Sequence, residues 1–420
     1  MDAGDPDSIR PVAAFRPSRL GPPHGENAMS KTTKTSNRDF LPVLQQMVAA
    51  GASDLHLKVG VPPTLRIDGV LYCIEEDNVT GADMDRLVDQ FLSEERREIF
   101  AREQEYDVAI SIPGLARFRV NLCRQRGTVG ASWRLVPTQI PGLDELHLPA
   151  LLGELIFQTR GLVLVTGATG AGKSTTLAAM IDHLNHRETR KVVTIEDPVE
   201  YLHRDDRCLI YQREVGEDTH SFQHGLRHVL RQDPDIIMIG EIRDVETLTI
   251  ALTAANTGHL VITTLHTMDA VQSIQRILSY YAPHEQDEIR RVLSGNLKAV
   301  ISQRLIPRIG GQGRVAAVEV MVNTPTIKDY IIDPNKTSQI RTAIQEGVTQ
   351  YGMQSFDQAL LNLTINKVIA PEDAVRFATH PNELALHMQG INDASNRAWA
   401  SVELGALDKP LQSSAEWIEK

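Results

Sequence analysis

A glycine-rich segment, GATGAGKST, follows the apolar run GLVLVT and precedes the helix-like run TLAAMIDHL. Glycines in this position let backbone N–H groups curl around a concavity, and the dipole of the following helix favours negative charge there. Lys173 would reach the β- and γ-phosphates of a nucleotide, and the Ser174 hydroxyl would bind Mg²⁺. The segment matches G-x-x-x-x-G-K-[ST] and predicts a nucleoside triphosphate site made of Gly167, Ala168, Thr169, Gly170, Ala171, Gly172, Lys173, Ser174 and Thr175. The alternative, a chance glycine turn, does not account for the apolar run and the helix on either side.

Charged and imidazole side chains mark the ends of three further apolar runs. Glu196 ends KVVTIE, Glu241 follows DIIMIG, and the run LVITTL lies between His259 and His266. Ligands of an open α/β sheet bind outside the carboxyl ends of its strands. A carboxylate there can hold Mg²⁺ or orient the attacking water, and an imidazole can contact the γ-phosphate. Each residue alone could be a solvent-facing strand end, whereas together they indicate one site.

Two patterns of periodicity divide the chain. From residue 160, short apolar strands alternate with helices, which predicts an α/β fold with a mostly parallel sheet covered on both faces. Before that, one amphipathic helix, alternating strands and hairpin signals predict an α+β unit. We expect a disordered tail at 1–38, an N-terminal α+β domain at 39–138, a linker at 139–149, the ATPase core at 150–325, a helical C-terminal segment at 326–392 and a polar tail at 393–420.

Composition limits the function classes. A chain of 420 residues with 42% apolar side chains has enough material for two cores. Three scattered cysteines support neither a disulfide framework nor a zinc site. The net charge of −11 argues against nucleic acid as the main partner, because phosphate binding needs a basic face. No run reaches the roughly 18 apolar residues that span a membrane, so we expect a soluble, cytoplasmic protein.

The segments TIEDPVEY, DPDIIMIGEIRD and GHLVITTLHT, after the phosphate loop, resemble the secretion ATPases of the type II and type IV pilus superfamily. In that family the Walker A, Asp box, Walker B and His box motifs occur in this order. The likeness is greatest to the PilT/PilU pilus retraction motors, and family-like segments extend from about residue 40 to residue 390. The resemblance implies a RecA-like P-loop NTPase core and a PAS-like N-terminal domain.

The resemblance also implies a function. It indicates a homohexameric ATPase that uses ATP and Mg²⁺ to drive type IV pilus retraction and twitching motility. Such a ring would lie at the inner face of the cytoplasmic membrane and act on a platform protein of the inner membrane, with or without a paralogous motor. Closure of the two domains around the nucleotide would do the work, because the nucleotide would bind the closed state better.

Specific roles follow residue by residue from the resemblance. Glu196 becomes the general base, and Glu241 becomes the Walker B carboxylate that shares Mg²⁺ with Ser174. His259 and His266 become the His-box residues. Gly240 occupies the position where many P-loop proteins carry an aspartate, which leaves Glu241 as the carboxylate at that strand end.

An arginine pair completes the predicted site. Arg227 and Arg231 are four residues apart, so a helix over 219–232 would place both on one face. In the resembling ATPases the matching arginines face the nucleotide of a neighbouring subunit. The alternative is a solvated basic edge without a catalytic role.

Two departures from the family bear on the function. Relatives that assemble pili or drive secretion carry a four-cysteine zinc module, which this chain cannot form, and this favours retraction over extension. The retraction family's C-terminal signature, A-I-R-N-L-I-R, is represented only by TIKDYIIDP at 326–334, which leaves open whether the chain is the main motor or an accessory one.

A nucleic-acid translocase with the same core is a rival function, although aromatic residues, which stack on bases, are only 5% of the chain. A regulatory subunit that does not hydrolyse nucleotide is another, and the complete set of site residues argues against it.

Overall fold

The computed structural model describes residues 9–11, 38–67, 69–311 and 313–388. Contacts divide the chain into two compact units, 1–138 and 139–420. Most of the predicted N-terminal tail and all of the predicted polar tail from residue 393 lie outside the described residues. Within the first tail, however, residues 9–11 form a short strand, so the prediction of disorder is wrong for that segment.

The first unit is an antiparallel sheet with three helices. Its strand order is β1-β4-β3-β2-β7-β6-β5, and every pairing is antiparallel, as the hairpin signals predict. Its strands are β1 (Ile9–Pro11), β2 (Asp54–Lys58), β3 (Thr64–Ile67), β4 (Val70–Ile74), β5 (Glu105–Ile112), β6 (Ala116–Gln125) and β7 (Thr128–Val136). Its helices are α1 (Leu41–Ala49), α2 (Gly81–Phe91) and α3 (Glu94–Glu103).

An aromatic cluster lies at the centre of this unit. The Trp133 ring is fully buried and meets the rings of Phe91 and Phe118 edge-on, with centroids 5.0 and 5.7 Å away. Edge-to-face pairs at such distances add to the free energy of burying the rings themselves. The cluster joins helix α2 to strands β6 and β7, so it ties the helices of the unit to the sheet.

The second unit contains the phosphate-loop segment. Its strands are β8 (Gly161–Thr166), β9 (Lys191–Glu196), β10 (Leu209–Glu214), β11 (Ile236–Ile239), β12 (Leu260–Leu265), β13 (Leu297–Pro307) and β14 (Arg314–Val322). Its helices are α4 (Leu151–Leu155), α5 (Lys173–Asn185), α6 (Phe222–Val229), α7 (Val245–Asn256), α8 (Ala270–Ser279), α9 (Gln286–Asn296), α10 (Pro325–Ile332), α11 (Ile340–Glu346), α12 (Val348–Tyr351), α13 (Phe356–Ile365), α14 (Pro371–Phe377) and α15 (Pro381–Met388).

The sheet of this unit has the order β10-β9-β11-β12-β8-β13-β14, and only the β13–β14 pair is antiparallel. Successive residues of its central strands face opposite sides of the sheet and pack in two different hydrophobic cores. Leu162 and Leu164 pack on the face covered by α6 to α11, whereas Val163 and Val165 pack on the face covered by α4 and α5. Continuous apolar runs are therefore required, because both faces are buried. The predicted α/β fold class is confirmed.

The C-terminal helices extend this unit beyond the sheet. Residues of α13, α14 and α15 pack against the far ends of β13 and β14, in a separate cluster around Phe356 and Leu360. Among the described residues, no helix combines the length and the apolarity that crossing a membrane requires.

We expect Trp133→Ala to lower the free energy of unfolding by about 3 to 5 kcal/mol, because it leaves a cavity between two aromatic rings. Denaturant unfolding followed by circular dichroism measures the change. Trp133→Phe is the matched control and should cost less, since it keeps a ring and removes an indole N–H that has no hydrogen-bond partner in the described part of the chain. Equal losses in the two variants would contradict the assigned role of the ring.

Candidate nucleotide-binding site

The phosphate loop follows β8 and has a conformation that only glycine adopts readily. Gly167, Gly170 and Gly172 have φ of 146°, 77° and 90°. At Gly167 there is a second constraint, because an added Cβ would lie 2.6 Å from the carbonyl oxygen of Gln303 in β13. The loop therefore passes directly against the neighbouring strand. Ala168, Thr169 and Gly170 are exposed at its tip, whereas Ala171 is buried.

Helix α5 begins without the side-chain cap that neighbouring helices have. The N-terminal caps of α6, α7 and α8 are Ser221, Asp244 and Asp269, and each side chain accepts a hydrogen bond from its first turn. The corresponding residue of α5 is Gly172, which makes no such bond. The first-turn N–H groups and the helix dipole thus provide an anion site at the end of the loop.

Lys173 is the cation of the loop. Its side chain is buried, and Nζ donates hydrogen bonds to the carbonyl oxygens of Gly167 at 3.0 Å and Ala168 at 3.1 Å. Burial lowers the pKa of Lys173, and the charge of Glu241 opposes that shift. An ammonium group held inside the loop by neutral acceptors would gain a stronger partner in a phosphate.

The two hydroxyl residues after Lys173 differ in their surroundings. Ser174 is exposed in the first turn of α5, where its hydroxyl can reach a metal ion beside the phosphates. The Thr175 hydroxyl forms a hydrogen bond of 2.9 Å with the Tyr201 hydroxyl. The predicted contact of Thr175 with a nucleotide would therefore come from its backbone or require that bond to break.

Glu196 is the buried carboxylate of the site. It ends β9 with only 6% of its surface exposed, and it accepts hydrogen bonds from Thr194 Oγ1 at 2.6 Å and Gln212 Nε2 at 3.3 Å. Burial raises the pKa of Glu196 to about 6, against the effect of these hydrogen bonds. A carboxylate with this pKa is well suited to accept a proton near neutral pH.

Glu241 is brought beside Glu196 by the pairing of β9 and β11. The Gly240 N–H donates to the Ile195 carbonyl oxygen at 2.8 Å, which continues the ladder past the end of β11. A Cβ at Gly240 would lie 3.5 Å from the Cα of Glu196. A side chain at this position would thus pack directly against the backbone of β9.

The carboxylate of Glu241 is bound on both oxygens. His266 Nε2 lies 2.9 Å from Oε2, and the Arg243 guanidinium contacts Oε1. Arg243 also donates to Asp197 Oδ2 at 3.2 Å. Burial alone would raise the pKa of Glu241, but the bonds from Arg243 and His266 outweigh it and hold the pKa below its usual range.

Sequence reasoning missed Arg243. The available signal was its position two residues after Glu241, in a segment already expected at the carboxyl edge of the sheet. Its partner Asp197 follows Glu196 at the neighbouring strand end. The structure thus adds an arginine of the same chain to a site for which we expected arginines only from elsewhere.

His259 does not join this site, so its assignment beside His266 is wrong within one chain. It precedes β12, its carbonyl oxygen accepts from the Gly161 N–H at 3.0 Å, and its Nδ1 lies 3.1 Å from the Ala254 carbonyl oxygen. Because β12 and β8 are parallel, these contacts place His259 at the amino edge of the sheet. Six strand residues, about 20 Å, separate that edge from His266.

The arginine helix is shorter than predicted. Helix α6 ends at Val229 instead of residue 232, and Arg231 lies in the following turn, so the shared helical face with Arg227 is a wrong prediction. After Leu230 the chain passes through a turn, and Asp233, just before Pro234, has a φ of 53°.

Helix α6 runs from the carboxyl edge of the sheet towards the opposite edge. The helix starts near Gly240, at the carboxyl edge, and ends close to the beginning of β11, at the opposite edge. Arg227 is exposed and forms an ion pair of 2.5 Å with Glu246. This pair ties Arg227 to the first turn of α7.

The donor set fits Mg²⁺. Ser174 and Glu241 offer hard oxygen ligands, and Mg²⁺ normally takes few protein ligands because it keeps several waters and binds the substrate phosphates. In the part of the chain that the structure describes, no group of three or more His, Cys, Asp or Glu residues is placed to hold a metal ion.

Comparisons with known proteins show which family the chain resembles. The family described as "Type II/IV secretion system protein" matches residues 31–370. A "Type IV pilus retractation ATPase PilT" from Pseudomonas aeruginosa is 43% identical over 343 residues, which are 82% of this chain and 99% of that protein. A "Type IV pilus ATPase PilU" from the same organism is 41% identical over 348 residues, 83% of this chain and 91% of that protein.

Solved structures are similar as well. The "Crystal Structure of the Pilus Retraction Motor PilT and Bound ADP" has a TM-score of 0.77 and 40% identity, covering 83% of this chain and 99% of that one. The Legionella pneumophila ATPase DotB has a TM-score of 0.69 and 28% identity, covering 84% and 95%. The resemblance drawn from the motifs is thus confirmed, and the chain belongs to the type II/IV secretion system protein family.

Proposed function

We propose that this chain is an ATP-hydrolysing motor that drives type IV pilus retraction and twitching motility. The observation that carries the proposal is the 43% identity that extends over 99% of the PilT relative. The chain's own site supports it, because the loop lysine and the two strand-end glutamates lie together at one edge of the sheet. Identity to PilU is almost as high, so an accessory role beside a paralogous motor is the alternative.

Each residue of the site would have a separate role in ATP hydrolysis. Lys173 and the N–H groups at the start of α5 bind the β- and γ-phosphates of ATP. Ser174 and Glu241 hold Mg²⁺, which neutralises phosphate charge. Glu196 accepts the proton of the attacking water, since its raised pKa still leaves it mostly ionised at pH 7. His266 keeps the Glu241 carboxylate in position through the 2.9 Å contact.

The assembly is part of the proposal. Six copies form a ring at the inner face of the cytoplasmic membrane, where the ring acts on a platform protein of the inner membrane. Arg227 and Arg231 would face the nucleotide of a neighbouring copy, and the exposure of both residues supports this. The domain limits given above belong to the proposal too, and the division of contacts between residues 138 and 139 supports the limit at residue 138.

A chromosomal deletion complemented with Lys173→Ala tests the function. Complementation with the wild-type gene should restore twitching, whereas Lys173→Ala should leave surface pili in excess and the cells immotile, because the variant loses the cation at the β/γ-phosphates. Pilus counts and surface motility are the measurements, with phosphate release and nucleotide affinity on the purified protein.

The matched control is Lys336→Ala, which removes an exposed lysine paired with Asp333 and should behave as wild type. Partial motility in the deletion strain would support the accessory role. Normal pilus numbers and motility in the deletion strain would overturn the proposed function. Unchanged ATP hydrolysis in Lys173→Ala would overturn the assignment of the nucleotide-binding site.

Substitutions of the two glutamates should have different kinetic effects. Glu196→Gln should lower kcat by about 10² to 10⁴ while Mg²⁺-nucleotide binding stays tight, because only the general base is lost. Since burial raises the pKa of Glu196 to about 6, wild-type kcat should fall as the pH decreases through about 6, where the base becomes protonated. This decrease should be absent from the residual activity of Glu196→Gln. Glu241→Gln is the comparison and should instead change the Mg²⁺ dependence; the reverse pattern would exchange the two roles.

Mixed rings test whether the arginines act between subunits. Lys173→Ala protein is titrated with Arg227→Ala/Arg231→Ala protein, each inactive alone. If the arginines serve a neighbour, mixed rings pair an intact phosphate loop with an intact arginine face, and ATPase activity rises above both parents. An arginine at the γ-phosphoryl group contributes about 10³ to 10⁵ in rate, so the rise should be clear. Near-zero activity at every ratio, with subunit exchange confirmed by fluorescence energy transfer, would exclude this role.

A further inference from the structure

Arg243 links the two acidic strand ends of the candidate site. One guanidinium nitrogen contacts Glu241, and the other donates to Asp197 at 3.2 Å. These carboxylates follow neighbouring parallel strands, β11 and β9, so the arginine closes the edge of the sheet between them. Its planar fork suits two acceptors at once, which a lysine could not match.

This contact occupies the carboxylate that the proposed function assigns to the metal ion. Glu241 has Arg243 on one oxygen and His266 on the other. The Glu241 side chain is 19% exposed, whereas that of Arg243 is 58% exposed. The arginine can therefore swing into solvent while Glu241 stays in place.

A cation arriving at Glu241 would meet this guanidinium at short range. The Arg243 charge and a divalent ion at the same carboxylate would repel each other, because like charges a few ångströms apart disfavour each other even when partly screened. Lys173 is engaged in a similar way, since its ammonium group is bonded to the loop's own carbonyl oxygens. Both the metal ligand and the phosphate ligand thus have partners from within the chain.

We propose that Arg243 is a placeholder for Mg²⁺: it neutralises Glu241 while no nucleotide is bound and is displaced when Mg²⁺ and nucleotide enter. The inference rests on the proposed function, in which Glu241 helps to hold the ion. Arg243 then acts as a positioning residue that competes with the ion. It also keeps Glu241 and Asp197 from repelling each other while the site is empty.

Displacement of Arg243 from Glu241 would also affect its contact with Asp197. Once released from Glu241, Arg243 remains within reach of Asp197, which lies next to the proposed base. Binding of the ion would thus change the contacts at the end of β9, because Arg243 would change its partner.

The test is the Mg²⁺ dependence of nucleotide binding at equilibrium, measured with full-length protein and a fluorescent ADP analogue. Arg243→Gln should shift the Mg²⁺ midpoint to a concentration about threefold to tenfold lower, because a partly exposed charge-assisted hydrogen bond no longer competes. Arg243→Lys should give an intermediate shift, since its ammonium reaches Glu241 without the fork. Thermal unfolding confirms that each variant is folded.

Two controls make the result specific. Arg102→Gln removes an exposed arginine from its ion pair with Glu103 in the first unit and should leave the midpoint unchanged. In a Glu241→Gln background, Arg243→Gln should produce no further decrease, because the two residues act as a pair. An unchanged or higher Mg²⁺ midpoint in Arg243→Gln would overturn the proposal, as would an equal decrease with Glu241 already replaced.

The experiment also separates this inference from the proposed function. If Glu241→Gln alone raises the Mg²⁺ midpoint and Arg243→Gln does not lower it, the metal role of Glu241 stands and only the placeholder role fails. If Glu241→Gln has no effect, the metal role fails and the placeholder role fails with it.

Discussion

The parallel register of β9, β11, β12 and β8 is the constraint on which the candidate site depends. These strands run in one direction, so their carboxyl ends meet at one edge of the sheet. The phosphate loop, Glu196, Glu241 and His266 each follow directly from one of these ends. A single reversed strand would move its residue to the other edge, as the position of His259 illustrates. Burial of both faces by apolar side chains fixes this register, because a one-residue slip would exchange the two cores.

The pKa shifts of the glutamates at that edge depend on how deeply each carboxyl group is buried. Glu196 is almost fully buried, and its pKa rises, whereas Glu241 is less buried and is held ionised by Arg243 and His266. Two glutamates at adjacent strand ends thus have opposite pKa shifts. That difference gives a physical basis for assigning proton transfer to one and metal binding to the other.

Much of this could be predicted from the sequence. The phosphate loop is recognisable because its glycines, lysine and hydroxyls are adjacent in the chain and its mechanism is local. The apolar strands of the second unit are recognisable because both faces of the sheet are buried. The strand-end rule then placed Glu196, Glu241 and His266 at one edge. His259, which only the resemblance assigned to the site, lies at the opposite edge because it stands before its strand rather than after it.

The sequence by itself determined the fold class, the phosphate loop and the positions of the strand-end residues, since each depends on neighbours within a few residues. Only the tertiary structure decided which of these side chains meet. Arg243 bonds Asp197 across 46 positions of sequence, and Gly167 packs against a carbonyl oxygen of β13 far along the chain. Such contacts join segments that approach only when the sheet forms, so no local pattern encodes them.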